Sequence, residues 1–333
     1  MPDIVDLSII IVNWNAQIVT RACIDSIVTH LHGLSYEILL VDNGSSDKSA
    51  QHLGKSPHTR VIENESNLGF AKANNIGMKQ ARGRVFLLLN NDTLILDNSI
   101  QNTFEFLCSH PEVGMMGCML LNADRTLQRS CSNFPGILTA LLGRQVVIRA
   151  FKAIRPQSEF PIGSAYLDED HQRELRPDWI MGAFMMVRHE AVDGAGMLDE
   201  DYFMYAEDMD WCYRIRRAGW DIAYSPAASI IHLGGASSRT VPEATLRRRL
   251  ASSVLYFRKH RPDELRAALA FQYTSFLMEL MIRSLSLPFA GEHNREECLN
   301  ILRQLCFFPE EIRRAMRQRL TSAPSLSGGP TRL

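Results

Sequence analysis

The sequence predicts an α/β protein built on a parallel, doubly wound sheet, and three observations carry that prediction. Short apolar runs alternate with segments of helical spacing, joined by short connections, from residue 7 to residue 118. The run at 85–89, VFLLL, is apolar throughout, as a strand buried on both faces requires. Three successive strand ends are polar: Asn13/Asn15, Asp42 to Asp47, and Asn90-Asn91-Asp92. In open α/β sheets ligands bind just beyond the carboxyl ends of the strands, so three such ends on one edge point to a single polar site.

The elements follow in order. Residues 7–12 form a buried first strand ending in Asn13-Trp14-Asn15, and 16–31 have helical spacing. Residues 36–41, YEILLV, form a second strand, and 60–62 a short third. Asn67-Leu68-Gly69-Phe70 opens a helix that runs to Lys79, and Gly83 leads into the strand at Val85. A further strand lies between Gly114 and Cys118, and another at 179–187 with Gly182-Ala183 inside it. Glycine inside a strand often marks close approach by a ligand. At 206–218 helical spacing returns: Trp211, Ile215 and Ala218 share a face, Arg214, Arg216 and Arg217 are expected in solvent, and Gly219 ends the helix. Ile230-Ile231-His232 follows a strand, and from Leu246 onward the chain is helical.

Composition excludes several classes. Thirty-six Lys/Arg against 37 Asp/Glu give a net charge of −1, so the whole molecule carries no electrostatic signature for nucleic acid. The distribution is uneven: fifteen Lys/Arg and nine Asp/Glu after residue 240 leave the first 240 residues at −7. Seven scattered cysteines without a CxxC pair fit a reducing compartment rather than a disulfide framework or a cysteine zinc site. The acidic N-terminus does not read as a signal peptide, and no charge-free stretch is long enough to span a bilayer. No GxGxxG follows the first strand and no P-loop is present, which argues against a dehydrogenase or a P-loop nucleotidase.

Two clusters carry candidate chemistry. A carboxylate at Asp92, beside the carboxamides Asn90 and Asn91, suits a hard divalent cation that also holds phosphate oxygens, although the same residues could simply cap a following helix. Asp42 either forms a turn with Asn43-Gly44 or, as an acceptor-only group, takes the ring N–H of a pyrimidine base. Asn67 and Gly69 would then bring the backbone close to the nucleotide. The acids Glu207, Asp208 and Asp210 complement a helix N-terminus, and one of them could serve as a general base. His232 by itself fits a structural histidine as well as a ligand.

The motifs VNWN, VDNGSSD, ENESNLGFAKANNIG and LLLNND, then WIMGAFMMVRHEAVDGAGMLDEDYFMYAEDMDWCYRIRRAGW and SIIHLGG, resemble the inverting family 2 glycosyltransferases, closest to the rhamnosyltransferase-like members, over residues 7–240. The resemblance implies a GT-A (Rossmann-like) fold, with a mixed, mainly parallel sheet flanked by helices and a C-terminal helical appendage. It implies a nucleotide-sugar donor and Mg2+ or Mn2+, with Asp92 and His232 as metal ligands. Asn90 stands where the family's metal motif usually begins with Asp, as in this branch. Asp208 is the implied base and Glu207 the acceptor-orienting partner. Asn13, Asn15, Asp42, Ser45, Asn67, Gly69, Asn74, Asn90, Asn91, Trp179, Gly182 and Arg239 line the implied donor site. The implied donor is dTDP-L-rhamnose or a UDP-sugar, and the acceptor a glycan or lipid-linked glycan of the cell surface.

The expected division is a catalytic domain at 1–240, a helical region at 241–320 and a disordered Ser/Pro/Gly-rich tail at 321–333. Between 123 and 178 lies an insertion, with a basic segment at 144–152 and acids at 168–170, that either shapes acceptor choice or is a solvated loop. The basic clusters at 247–249 and 258–261 precede a helix at 267–287 with a broad apolar face and a Glu279–Arg283 pair. The catalytic domain, a second subunit in a homodimer, or the inner face of the cell membrane would cover that face, so a cytoplasmic enzyme with peripheral membrane contact is expected.

Overall fold

The computed structural model describes residues 4–136, 166, 170–234, 242–286 and 292–317. The expectations for 144–152, Asp168, Glu169, Gly235, Arg239, the Glu279–Arg283 pair and the 321–333 tail lie outside the described residues or side chains. In chain order the elements are β1 (Val5–Asn13), α1 (Gln17–His30), β2 (Tyr36–Asp42), α2 (Ser49–Leu53), β3 (Thr59–Glu63), α3 (Phe70–Met78), β4 (Gly83–Asn90), β5 (Thr93–Ile95), α4 (Ser99–Ser109) and β6 (Val113–Leu121). Short strands β7 (Leu127–Gln128), β8 (Cys131–Ser132) and β9 (Trp179–Ile180) precede β10 (Phe184–Arg188) and α5 (His189–Ala195). The chain continues through α6 (Glu207–Arg217), β11 (Asp221–His232), α7 (Pro242–His260), α8 (Leu265–Ser286) and α9 (Glu292–Arg317).

The main sheet runs β3-β2-β1-β4-β10-β6-β11-β5, with β7 beside β6. β3, β2, β1 and β4 are parallel, as the strand–helix alternation requires. β10 inserts antiparallel between β4 and β6, and β5 is antiparallel to β11, so the sheet is mixed. Period-2 alternation splits the strands between two cores. Ile9, Ile11, Leu87 and Leu89 meet α1 and α4 on one face; Ile10, Phe86 and Leu88 meet α3, α5 and α6 on the other. α7 belongs to that second face, through Val254, Tyr256 and Phe257.

Several local expectations change. The polar run after β4 caps no helix; it turns at Asn91-Asp92 into β5. The segment 179–187 is two short strands, β9 and β10, because the chain turns at Gly182-Ala183. Arg214 is buried rather than solvated, since Asp210 one turn earlier is fully buried and holds it by a 2.8 Å ion pair. Helices α2 and α4 were not among the expected elements: α2 is a single short turn, while α4 buries Ile100, Thr103, Phe104 and Leu107 at helical spacing.

Candidate active site

At the carboxyl end of β2, Asp42 is buried and almost satisfied. Its Oδ1 accepts the Asn13 amide at 2.8 Å and the Ser45 hydroxyl at 2.7 Å, and its Oδ2 accepts the Ser45 N–H at 3.1 Å. A carboxylate has about four acceptor positions, so one remains for an external donor. Ser45 also accepts the Asn15 N–H at 2.9 Å, and Asn15 Oδ1 accepts the Ser46 N–H at 2.8 Å. Thr20 links this cluster to the end of β4: its hydroxyl donates to Asn13 Oδ1 at 2.7 Å and accepts the Asn91 amide at 2.9 Å. Asn13, Asn15, Asp42, Ser45 and Asn91 therefore form one network.

Asn67 and Gly69 make defined contacts within the chain itself. Asn67 Oδ1 accepts the Gly69 N–H at 3.0 Å and the amide of buried Asn43 at 3.1 Å, which fixes the turn. Gly69 has φ +85°, and an added Cβ would lie 2.4 Å from the Phe203 carbonyl oxygen. The close approach that requires glycine is to the chain leading into α6; Phe203 O also accepts the Phe70 N–H at 2.7 Å. Asn74 is buried and bonds back to the Phe70 carbonyl on its own helix. Asn43, which holds Asn64, Asn67, Leu68 and Gly69, is the residue in this region that the sequence reading left out of the site. Its signal was its position one residue beyond the strand.

At the end of β4, strand register creates a second cluster. Thr93 of β5 pairs with His232 of β11, so His232 comes to lie against Asp92. Nε2 of His232 is 3.2 Å from Asp92 Oδ1 and 3.2 Å from Asn90 Nδ2, and Asp92 and His232 are both buried. Gln128 Oε1 accepts the His232 Nδ1–H at 2.6 Å. That bond orients the ring and leaves Nε2 as the nitrogen able to ligate a cation. Among the described residues no group of three His, Cys, Asp or Glu forms a closed metal cage. One carboxylate and one imidazole, with the remaining positions open to water and phosphate oxygens, suit Mg2+ or Mn2+. The residues fit such an ion. Gln128 was missed because nothing in LQ, two residues of a short strand, signals a contact across 104 positions.

The third cluster opens α6. Tyr205 and Ala206 hold left-handed φ values of 72° and 64° without being glycine, which costs on the order of 1–3 kcal/mol each. This turn sets the three acids in different surroundings. Asp210 is fully buried between His260 of α7, at 2.6 Å, and Arg214. Burial alone would raise its pKa, but the His260 hydrogen bond and the Arg214 charge outweigh it and hold the carboxyl below the usual range. Asp208 is half-buried; its Oδ2 accepts the Gly182 N–H at 2.9 Å and its Oδ1 the Met209 N–H at 2.8 Å. Burial still raises its pKa. Glu207 is buried with Oε2 lacking any hydrogen-bond partner, and burial, then the Asp208 charge, push its pKa well up. Two backbone donors favour the anion at Asp208 and Glu207 Oε2 has no hydrogen-bond partner, so burial raises Glu207 the further of the two.

The turn at 182–183 joins the clusters. Gly182 donates to Asp208, while the Ala183 carbonyl accepts the Asn90 N–H at 3.0 Å. Trp179 packs nearby, half-buried, with its indole N–H on the Asn133 carbonyl at 3.1 Å. The carboxylate at the start of α6 thus stands within one dipeptide of the strand end that carries Asn90 and Asp92.

Residues 8–159 match the model of "Glycosyl transferase family 2". The chain is 27% identical over 263 residues to an N-acetylglucosaminyl-diphospho-decaprenol L-rhamnosyltransferase of Mycobacterium tuberculosis, covering 74% of this chain and 83% of the relative. It is 25% identical over 201 residues to the rhamnosyltransferase WbbL of Escherichia coli, covering 58% and 71%. Among solved structures it resembles the mannosyltransferase PcManGT from Pyrobaculum calidifontis, in complex with GDP-Man and Mn2+, with TM-score 0.56, 16% identity and coverage of 93% and 88%.

Proposed function

The chain is a family 2 glycosyltransferase of rhamnosyltransferase-like kind with a GT-A-like fold, and from that premise we propose that it moves L-rhamnose from dTDP-L-rhamnose, with inversion, onto a diphosphate-lipid-linked glycan of the cell surface. The donor and acceptor rest on the names of the two rhamnosyltransferase relatives. Asp42, with its one spare acceptor position, receives the ring N–H of the pyrimidine. Asn13, Asn15 and Ser45 hold that carboxylate in place. Asp92 and His232, oriented by Gln128, would hold the divalent ion. Such an ion supplies charge neutralisation for the departing diphosphate. Asp208, ionised, accepts the proton of the acceptor hydroxyl as its oxygen attacks the anomeric carbon. Glu207, its pKa raised by burial and the neighbouring Asp208, orients the acceptor beside it. Asp210 works one step back, locking α6 to α7. No helix among the described residues is long and apolar enough to cross a membrane; contact at the membrane surface is the expected route to a lipid-linked acceptor.

The observation that carries this reading is the turn at Gly182-Ala183, which holds Asp208 beside the strand end bearing Asn90 and Asp92. The test is a screen of dTDP- and UDP-sugars with Mg2+ or Mn2+, read by release of the nucleoside diphosphate. Turnover of dTDP-L-rhamnose that stops in EDTA and in Asp92→Ala is the expected result. Preference for a UDP-sugar would keep the chemistry and replace the donor. Full activity in EDTA would sink the metal-dependent reading, and tight nucleotide binding without turnover of any donor would make the chain a binding protein.

A further inference from the structure

The three consecutive arginines that begin the basic C-terminal region divide between two tasks. Arg247 is consumed in packing: it pairs with Glu311 at 2.7 Å and Glu310 at 3.4 Å and lies 4.0 Å over the Phe307 ring, which fastens α9 to α7. Arg248 and Arg249 point elsewhere. Their guanidinium carbons sit 4.6 Å over the Phe203 ring and 4.9 Å over the Tyr205 ring. Both arginines are exposed, and among the described residues no carboxylate pairs with either.

Phe203 and Tyr205 belong to the strained turn that leads into Glu207 and Asp208. That turn is anchored on both sides. Phe203 O accepts the Phe70 N–H, and the Ser252 hydroxyl, one turn along α7 from Arg248, donates to the Met204 carbonyl at 3.0 Å. Stacking uses the flat face of a guanidinium and leaves its N–H edge free to donate in its fixed fork. Two such edges, on neighbouring residues seated over neighbouring rings and with no carboxylate partner among the described residues, form an anion-binding surface suited to phosphate oxygens.

We propose that Arg248 and Arg249, held on Phe203 and Tyr205, bind the diphosphate of the lipid-linked acceptor; this rests on the acceptor class proposed above. Charge logic supports a second phosphate site. The donor diphosphate is met at Asp92 and His232, whereas an acceptor diphosphate entering beside Asp208 would meet a carboxylate and needs its own cations. Reach supports it too. Two residues separate Tyr205 from Asp208, three steps of at most about 11 Å of chain, so a sugar ring between the two would place its hydroxyl at Asp208 and its diphosphate at the arginines. The aromatic faces of Phe203 and Tyr205 also give an otherwise mobile basic pair a defined geometry, which a merely solvated surface cluster would lack.

The test uses the full chain, the double variant Arg248→Ala/Arg249→Ala and the charge-keeping Arg248→Lys/Arg249→Lys. The probes are N-acetylglucosamine diphosphate on a short polyprenyl chain, N-acetylglucosamine on a neutral alkyl chain, and acceptor-free anionic phospholipid vesicles. The wild type should bind the diphosphate probe, and the alanine variant should bind it at least about tenfold more weakly, the scale of losing charge-assisted hydrogen bonds. The lysine variant, which keeps charge and loses the fork, should fall between. Affinity for the neutral probe and for dTDP should stay unchanged. No binding of the diphosphate probe by the wild type, equal loss of both acceptor probes, or loss of vesicle binding without loss of the diphosphate preference would overturn the proposal, the last in favour of a general membrane-surface role. Failure of dTDP and UDP to bind any form would instead undo the glycosyltransferase reading, leaving the diphosphate arm to be judged by its own result.

Discussion

Three carboxylates within four positions of one helix illustrate how far chemistry is set residue by residue. Asp210 is locked between His260 and Arg214, Glu207 is buried with an unpartnered oxygen, and Asp208 alone combines partial exposure with donors that favour its anion. Asp208→Asn keeps the size but cannot take a proton, so turnover should fall by about two to four orders of magnitude with dTDP affinity nearly unchanged; near wild-type transfer would remove Asp208 as the base. Because burial raises the Asp208 pKa, the acid limb of the wild-type pH–rate profile should lie above the ordinary carboxylate range. Glu207 gives a stability test. Burial raises its pKa well above 4.5, so the native chain keeps a proton that the unfolded chain has already released. That group's contribution is present below the unfolded value and is lost as pH rises through the native one. Glu207→Gln carries no such proton and should gain melting temperature relative to the parent as pH rises above the ordinary glutamate range. A pH-independent difference between the two would contradict the buried, protonated Glu207.

Short elements decide what sits beside these residues. The two-residue strand β7 supplies Gln128 to His232, a contact that exists only because β7 pairs with the end of β6. Gln128→Leu removes the partner that fixes the ring, and Mn2+ affinity measured by titration should weaken by about 10–100-fold; unchanged affinity would separate His232 from the metal. The turn before α3 shows the same dependence on tertiary contact. Gly69→Ala would place a Cβ at 2.4 Å from the Phe203 carbonyl in an extended positive-φ region that is essentially glycine-only and costs L residues about 1–3 kcal/mol. A clear fall in melting temperature is expected, together with weaker acceptor use, because the displaced segment carries Phe203 and Tyr205. Wild-type stability in that variant would mean that the two segments do not touch.

At the scale of the whole molecule, the C-terminal helices are bound to the catalytic acids by buried charge. His260 is hydrogen-bonded to Asp210 at 2.6 Å, and Lys259, its side chain buried, pairs with Asp201 at 2.6 Å and with Asp199. Val254, Tyr256 and Phe257 fill the same core as α6. Removing one partner of a buried ion pair costs about 3–5 kcal/mol, and ending the chain after residue 241 would take the Lys259 cation from Asp199 and Asp201 and the His260 partner from Asp210. Such a truncated chain should be insoluble or bind hydrophobic dyes, with no cooperative melt. A soluble truncation that melts near the full-length temperature would show that residues 1–241 fold on their own.

The sequence by itself determined the strand–helix alternation, the parallel character of the first strands and the polar strand ends, because those depend on local periodicity and on where apolar runs stop, whereas the order β3-β2-β1-β4 came from the structure. It also singled out Asp42, Asp92, Asp208 and His232 through motif order. It could not decide which acid of the α6 cluster is free, since Asp210 and Asp208 differ only in what α7 and the 182–183 turn bring to them. The antiparallel insertion of β10, the Gln128–His232 bond and the Phe203 contact that requires Gly69 were equally out of reach. Each joins residues far apart in the chain, and pairing across such distances is fixed by the packing of the whole sheet rather than by any local pattern.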